Sequence, residues 1–275
     1  MSLKTPNSIQ DASSVRHIDG DIRDLLFDPD KVQDDIEDLV DNEIDQFLES
    51  ARRRRLLFAI EGLMDVLVQN ETSLDEVLND KAAREDIFQS ETGVEILATA
   101  STGRSVLRDN ETALDELLNS TEILESNISI PAFRTLLLTV PEIWEEGEAL
   151  QRLFDEMTLR DTEDGATIEL NNRRLVFEKD GSDSSLRAEV SVDLTGIDSL
   201  AFTYNFDGGD TLLDLFVNVD GEQAFENTTP TDTDDTDETI DVSDYSGECV
   251  IQFDIEDGST YGQDYTAEFY NIVLS

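Results

Sequence analysis

The sequence has very little of the chemistry that enzymes, metal sites and disulfide-linked proteins use. Its 275 residues include one cysteine, Cys249, and one histidine, His17. A single cysteine excludes an intrachain disulfide and a cysteine-rich zinc site. Catalysis by a serine–histidine or cysteine–histidine pair would depend on His17 alone. We therefore expect a protein that is not an enzyme.

Hydrophobic targeting segments are also missing. No run reaches the roughly 20 apolar residues that a membrane-spanning helix needs, and the first stretch of the chain lacks the apolar run of a signal peptide. We expect no membrane partner. We also expect the chain to fold in the cytoplasm, either to stay there or to be assembled into a particle that later leaves.

Basic residues are scarce. Nineteen Lys and Arg oppose 65 Asp and Glu, for a formal net charge of −46. No basic stripe exists to neutralise nucleic-acid phosphates, so a nucleic-acid partner is not expected. Only four of the basic residues are lysines: Lys4, Lys31, Lys81 and Lys179.

This acidic composition resembles that of proteins from extremely halophilic archaea and their viruses. In molar salt the Debye length falls to about 3 Å, which screens most of the self-repulsion of such a chain. The alternative is a disordered acidic chain. It does not fit, because 38% of the residues are hydrophobic and they recur periodically.

The sequence does contain a ten-residue repeat, from about residue 60 to about residue 160. Residues 70–79 recur almost unchanged as residues 110–119, and Pro131 and Pro141 keep the same register. With Asn70 counted as place 1, an apolar residue stands at place 8 of most units: Leu67, Val77, Ile87, Leu97, Leu107, Leu117, Leu137 and Met157. Such self-similarity predicts stacked structural units rather than a catalytic globule.

The period of ten predicts separate short helices. Ten residues turn a helix by ~1000°, about 80° short of three full turns, so one straight helix would not keep place 8 on one face. Place 1 supplies N-caps, and both prolines fit the first helical position. Small residues at place 4, such as Gly93 and Gly103, would permit close contacts. Helices this short need neighbours for stability. An irregular helical bundle is the alternative.

Two segments precede the repeat. Residues 1–28 are polar and are predicted to be an extended anchor, with Leu25, Leu26 and Phe27 as partner contacts. Residues 29–58 are predicted to form an amphipathic helix. Its last part holds four consecutive arginines, which would pair with local carboxylates or contact an acidic neighbour in an assembly. These arginines are Arg52, Arg53, Arg54 and Arg55.

Residues 161–275 alternate as strands do. About eight strands are predicted, separated by turn sequences such as Asp220-Gly221. The predicted strands are Thr167–Leu170, Arg173–Lys179, Leu186–Asp193, Ser199–Asp207, Leu212–Asp220, Thr239–Val242, Cys249–Glu256 and Thr266–Leu274. Residues 227–238 are predicted to be an exposed loop. The predicted fold class is therefore α+β, with a helical repeat over 59–160 followed by an antiparallel β-sandwich of jelly-roll topology.

Part of this C-terminal region resembles the jelly rolls of carbohydrate-binding modules. The similarity lies in residues 192–200, 213–221, 240–247 and 269–274. It implies glycan binding on a sheet face with exposed aromatic residues and, in many members, a structural calcium, for which no ligand set stands out. No other cofactor is expected. The aromatic candidates, for which core packing is the alternative, are Tyr204, Tyr261, Tyr265 and Tyr270.

The helical repeat is similar to the short repeats of tailed-phage fibres and other virion structural proteins. A repeat followed by a β-sandwich resembles a phage receptor-binding architecture. We therefore expect a subunit of a halophilic archaeal virus, of the fibre, spike or turret type, whose sandwich contacts a host-surface glycan or glycoprotein. A purely structural capsid or tail component and, last, a glycan-acting enzyme are the alternatives. The expected partners are other virion proteins and further copies of this chain, as a trimer or, alternatively, a pentamer.

Overall fold

The computed structural model describes residues 44, 48–59, 61–145, 147–160, 166–179, 185–207, 213–228, 233–257 and 265–275. The predicted anchor, residues 1–28 with Leu25, Leu26 and Phe27, lies outside these residues. The described helical part consists of short α-helices in the ten-residue register. They are α1 Ala51–Ala59, α2 Glu61–Gln69, α3 Glu71–Asn79, α4 Lys81–Phe88, α5 Glu91–Thr99, α6 Ser101–Asp109, α7 Glu111–Asn119, α8 Thr121–Asn127, α9 Pro131–Leu138 and α10 Gly147–Asp155. A 3-10 helix, Pro141–Trp144, lies between α9 and α10.

Capping residues set the boundaries of the units, as predicted. Pro131 and Pro141 stand at the start of their helices, where a missing N–H is tolerated. The place-1 side chains accept a hydrogen bond from the backbone N–H three residues later, which satisfies a group that the helix leaves unpaired. The residues that cap in this way are Asn70, Asp80, Ser90, Asn110 and Ser120.

The first helices stack in layers of three. Besides its neighbour in sequence, α1 packs on α4, α2 on α5 and α3 on α6, so each of these three helices contacts the one three units later, whereas α5 packs on α9, four units later. At place 8, Leu67, Val77, Ile87, Leu97 and Leu107 are fully buried. This arrangement confirms the predicted repeat. It also explains why ten residues can fall about 80° short of three full turns. The chain changes direction after each unit, so the units do not form one continuous helix.

The glycines at place 4 permit the predicted close approach. A Cβ atom on Gly93 would lie 2.9 Å from the carbonyl oxygen of Ile87, and one on Gly103 would lie 3.0 Å from that of Leu97. Both oxygens belong to the preceding helix. A side chain at these positions would therefore push consecutive helices apart.

The prediction of one amphipathic helix over residues 29–58 is wrong at its C-terminal end. Residue 50 is not helical, and α1 begins at Ala51 as a unit of the repeat. The repeat thus starts at least one unit earlier than the sequence pattern indicated. The run of arginines hid this unit, because it places charged residues where other units have apolar ones.

Arginine takes a buried position in four units. Place 5 is apolar in most units but holds Arg54, Arg84, Arg104 and Arg134, all of them 9% exposed or less. Each donates from Nη1 to the carbonyl oxygen six residues earlier, at 2.7–2.9 Å. Carbonyls at the end of a helix lack an intrahelical partner. Each arginine therefore caps the end of the helix that precedes it.

The four arginines form two pairs, each with a spacing of 30 residues, and the pairs contact different partners. Arg54 Nε lies 2.8 Å from Asp86, and Arg84 Nε lies 2.5 Å from Glu116, so the first pair joins successive layers. Arg104 lies in α6 and Arg134 lies in α9. Their remaining nitrogens reach the C-terminal domain instead.

The C-terminal part is an antiparallel β-sandwich of two five-stranded sheets, which confirms the predicted fold class. Sheet A has the order β1-β4-β9-β6-β7, and sheet B has the order β2-β3-β10-β5-β8. The strands are β1 Thr158–Arg160, β2 Ala166–Asn171, β3 Arg174–Lys179, β4 Leu186–Asp193, β5 Ser199–Asp207, β6 Leu213–Val219, β7 Glu222–Asn227, β8 Thr233–Asp241, β9 Glu248–Asp257 and β10 Tyr265–Leu274. Phe177, Phe202, Phe253 and Phe269 meet in the core between the sheets.

The predicted loop over residues 227–238 is wrong for its second half. Residues from Thr233 onward belong to β8, which pairs with β5 at the edge of sheet B. Threonine favours strands, while the acidic side chains protect an exposed edge from pairing with another chain. The edge strand β7 was also missed, because only Ala224 and Phe225 within it are apolar.

The helical part packs directly on the sandwich. Strand β1 pairs with β4 only as far as Glu189, and α9 contacts the backbone beyond that point. Arg134 Nε donates to the carbonyl of Ser191, while Thr135 Oγ1 lies 2.8 Å from both the N–H and the carbonyl of Asp193. Helix side chains thus replace a neighbouring strand at this edge.

Two further bonds join the parts. Trp144 Nε1 donates to the Ile272 carbonyl at 2.9 Å, and Arg104 Nη2 donates to the Gly196 carbonyl at 2.6 Å. One hydrophobic cluster runs through both parts. The helical layers therefore contact the sandwich at β4, at the loop between β4 and β5, and at β10.

Candidate functional site

The outer face of sheet A carries two neighbouring rows of side chains that run across its central strands. We call these six residues the platform: Glu189, Gln252 and Asn218 in one row, and Arg187, Asp254 and Phe216 in the other. Each row has one residue from β4, one from β9 and one from β6. Since adjacent strands lie about 4.8 Å apart, a row spans roughly 10 Å. The alternating residues of these strands, such as Leu215 and Val217, are buried in the core.

Asp254 is the fixed centre of the platform. Its side chain is 3% exposed, and its two oxygens accept from Arg187 Nε and from Asn218 Nδ2, the latter at 2.6 Å. A buried carboxylate is tolerated only when it is paired and hydrogen-bonded in this way. The hydrogen bond to Asp254 raises the pKa of Arg187, so this guanidinium stays charged.

The second row is also held in place. Gln252 Nε2 donates to Glu189 Oε1 at 3.0 Å, and Arg160 on the edge strand β1 lies 3.3 Å from the other oxygen of Glu189. These bonds use only part of the hydrogen-bonding capacity of the amide and the carboxylate. The platform therefore presents planar polar groups whose orientation is set before any ligand arrives.

Phe216 adds apolar surface beside these polar groups. It points outward on β6, is half-buried, and stands in register between Asp254 and Glu226. Burial, with Glu226 nearby, raises the pKa of Asp214, the preceding outward residue of β6. An aromatic ring among a few convergent polar groups is the usual composition of a small-molecule site.

Hydrogen bonds from the helical part do not reach the platform side chains. They reach the sandwich at Ser191, Asp193, Gly196 and Ile272, none of which belongs to the platform. Of these, Ser191 and Asp193 lie on β4, beyond the platform residues of that strand.

The tyrosines predicted to contact a glycan are not gathered on one open surface. Tyr204 and Tyr265 face the core and are 5% and 3% exposed. They pack against Phe202 and Phe206 respectively, because they alternate with outward residues on β5 and β10. Tyr261 lies outside the described residues. The structure thus favours the core alternative for Tyr204 and Tyr265, while their predicted glycan contacts stay a prediction.

Tyr270 points outward on sheet B, but its ring is covered. The Arg174 guanidinium lies 4.1 Å from the ring centroid, and Arg174 also pairs with Glu268 and contacts Asp235 at 3.9 Å. Burial, with Asp235 nearby, raises the pKa of Tyr270 to about 12. This cluster satisfies its own charges and offers no open ring face to a sugar.

The arginine run has contacts within the chain. Arg54 and Arg55 lie 2.8 and 3.4 Å from Asp86. Arg54 is buried, while the side chain of Arg55 is 74% exposed. Arg52 and Arg53 are not without interaction partners either. The local-carboxylate interpretation therefore holds for Arg54 and Arg55, and an assembly contact through Arg52–Arg55 stays a prediction.

The described residues hold no group of three or more His, Cys, Asp and Glu side chains arranged to bind a metal ion. A structural calcium therefore stays a prediction. None of the described helices is long and apolar enough to cross a membrane. Burial raises the pKa of the Cys249 thiol to about 11, with Asp220 adding to the shift, so this cysteine is not an activated nucleophile.

Comparisons with known proteins find similarity only in structure. The sequence matches no family model and no curated protein. A family 61 carbohydrate-binding module in complex with β-1,4-galactotriose is 12% identical, with a TM-score of 0.32 over 44% of this chain and 89% of that one. A family 28 module specific for non-crystalline cellulose is also 12% identical, with a TM-score of 0.33 over 44% and 87%. The secreted serine protease VesC from Vibrio cholerae is 18% identical, with a TM-score of 0.26 over 37% and 24%.

The platform residues were not predicted from the sequence. The sequence feature that could have indicated them is planar polar residues at alternate positions of three strands, as in Arg187-x-Glu189 and Gln252-x-Asp254. Such a pattern is typical of any solvated strand face. It becomes a site only through the pairing of β4, β9 and β6, which the sequence of one strand does not contain.

Proposed function

We propose that the β-sandwich binds a saccharide on the platform of sheet A. The observation that supports this proposal is the pair of polar rows fixed around the buried Asp254, with Phe216 beside them. A binding role fits the site better than catalysis, because its carboxylates are engaged in holding neighbouring side chains.

The chemistry of the platform matches that of a sugar. Each sugar hydroxyl both donates and accepts hydrogen bonds, and a pyranose ring has an apolar C–H face. The carboxylate of Glu189 accepts, the amides of Gln252 and Asn218 donate and accept, and the Phe216 ring offers apolar contact. Because these groups are already held in place, little conformational entropy is lost on binding.

A glycan array tests the proposal. The full chain, labelled and kept in 3 M KCl, is applied to neutral and acidic oligosaccharides. We expect retention on a restricted set of glycans and at least tenfold weaker retention of Phe216→Ala and Gln252→Ala. Leu159→Ala is the matched control, because Leu159 is exposed on β1 of the same sheet and lies outside the platform.

The controls separate a binding defect from a folding defect. All variants should retain the circular dichroism of the parent chain, since Phe216 and Gln252 lie on the outer face. Equal retention of the platform variants and Leu159→Ala would place the site elsewhere. Release of free sugar from any glycan would instead support the alternative that the chain is a glycan-acting enzyme.

We also propose, from the composition and the repeat, that the chain is a virion subunit of a halophilic archaeal virus. The charge of −46 and the resemblance to fibre repeats support this proposal. In it, the saccharide belongs to the host surface and the chain assembles as a trimer or pentamer on the particle. Sedimentation of the full chain in 3 M KCl tests the oligomer, and a monomer at micromolar concentration would argue against it.

A further inference from the structure

The charges around the platform determine whether it can bind charged as well as uncharged saccharides. We infer that it accepts uncharged saccharides and rejects those that carry carboxylate, sulfate or phosphate groups, an inference that rests on the proposed function. Carboxylates outnumber guanidinium groups on this face: Asp214, Glu189, Glu226, Asp254 and Glu256 against Arg160 and Arg187.

The two arginines already have carboxylate partners. Arg187 pairs with Asp254 and lies 3.6 Å from Glu189, while Arg160 lies 3.3 Å from Glu189. An anionic sugar would need such a guanidinium for a bidentate contact. Asp254 takes the Nε side of Arg187, and Glu189 lies near Nη1, so an anionic group at the remaining N–H groups would lie close to both carboxylates. That like-charge proximity is unfavourable.

The border of the platform adds repulsion. Asp214 and Glu226 flank Phe216 on β6 and β7, and burial together with the nearby charge of Glu226 raises the pKa of Asp214. A third negative charge brought between them would meet like charges at short range. An uncharged sugar meets no such penalty, and its contacts are with the platform residues rather than with these two border carboxylates.

Matched pairs of polymers test the inference in affinity electrophoresis of the full chain. Hydroxyethylcellulose is compared with carboxymethylcellulose, and β-1,4-galactan with polygalacturonate. Each gel is run in 3 M KCl and in the lowest KCl concentration at which circular dichroism still shows the native fold. At the lower salt we expect the neutral member of a bound pair to retard the chain about tenfold more strongly than the acidic member. In 3 M KCl the difference should shrink, because salt screens exposed charges.

A double variant at the border identifies the responsible charges. Asp214→Asn with Glu226→Gln should strengthen retention by the acidic polymer at the lower salt and leave retention by the neutral polymer unchanged. Glu178→Gln is the control, since Glu178 is exposed on β3 of sheet B. It should change neither.

Four outcomes would overturn the inference. Stronger retention by the acidic polymers would reverse it. A neutral preference that the double variant and salt do not alter would show that charge does not cause it. Retention by no polymer, together with an empty glycan array, would overturn the proposed function and this inference with it; an array that shows binding only to anionic glycans would overturn this inference alone.

Discussion

Removing the guanidinium of Arg134 should weaken the junction between the helical part and the sandwich. Arg134→Met keeps much of the apolar stem but loses the bonds to the carbonyls of Ile128, at 2.9 Å, and Ser191. Bonds from a charged donor contribute about 1.5–3 kcal/mol each. Burial lowers the pKa of Arg134, so the charged group is held at a desolvation cost that Met avoids. We therefore expect a net loss of about 2–4 kcal/mol.

Urea unfolding in 3 M KCl measures this loss as a shift in midpoint at constant slope. Arg108→Met is the matched control, because Arg108 is exposed in α6 and the substitution removes the same charge. We expect the control to stay within about 0.5 kcal/mol of the parent chain. A loss in Arg134→Met no larger than that of Arg108→Met would refute the idea that buried arginines join the two parts.

Three further predictions concern packing, backbone and pH. Leu107→Ala should lose about 2–5 kcal/mol of unfolding free energy in the urea assay, whereas Asp115→Asn, on the exposed side of α7, should lose almost none; equal losses would mean that the repeat is not the packing unit. Gly196→Ala should lose about 2 kcal/mol or more, because Gly196 has φ +70° and a Cβ atom would lie 2.8 Å from the carbonyl of Thr99; an unchanged midpoint would contradict this. The raised pKa of Asp214 means that its ionisation opposes folding above the unfolded-state pKa of about 3.9, so Asp214→Asn should stabilise the chain at pH 7 and lose that advantage on acidification; a gain that is the same at all pH values would contradict the assignment.

Features governed by local sequence were predictable. The caps at Asn70 and Asn110 and the two prolines identified the short helices, since capping depends on residues within one turn. Strands β4 and β5 have the predicted bounds because their alternation is unbroken. What these signals share is a short range along the chain.

Features that depend on distant pairing were not predictable. Arg84 and Arg104 stand in the core because each finds carbonyls or a carboxylate in another part of the chain, and a charged residue at a core position otherwise indicates exposure. The platform likewise forms only when β9 lies between β4 and β6. Strand order is a property of the whole sandwich and leaves no mark on the sequence of a single strand.

The most direct test of the central claim is a crystal structure of the full chain with the oligosaccharide that binds best on the array. We expect the sugar to lie on sheet A, with hydroxyls bonded to Glu189 and Gln252 and a ring against Phe216. We also expect the pairing of Asp254 with Arg187 to be unchanged. A sugar bound on sheet B over Tyr270, or one that breaks the Asp254 pairing, would show that the platform is not the binding site.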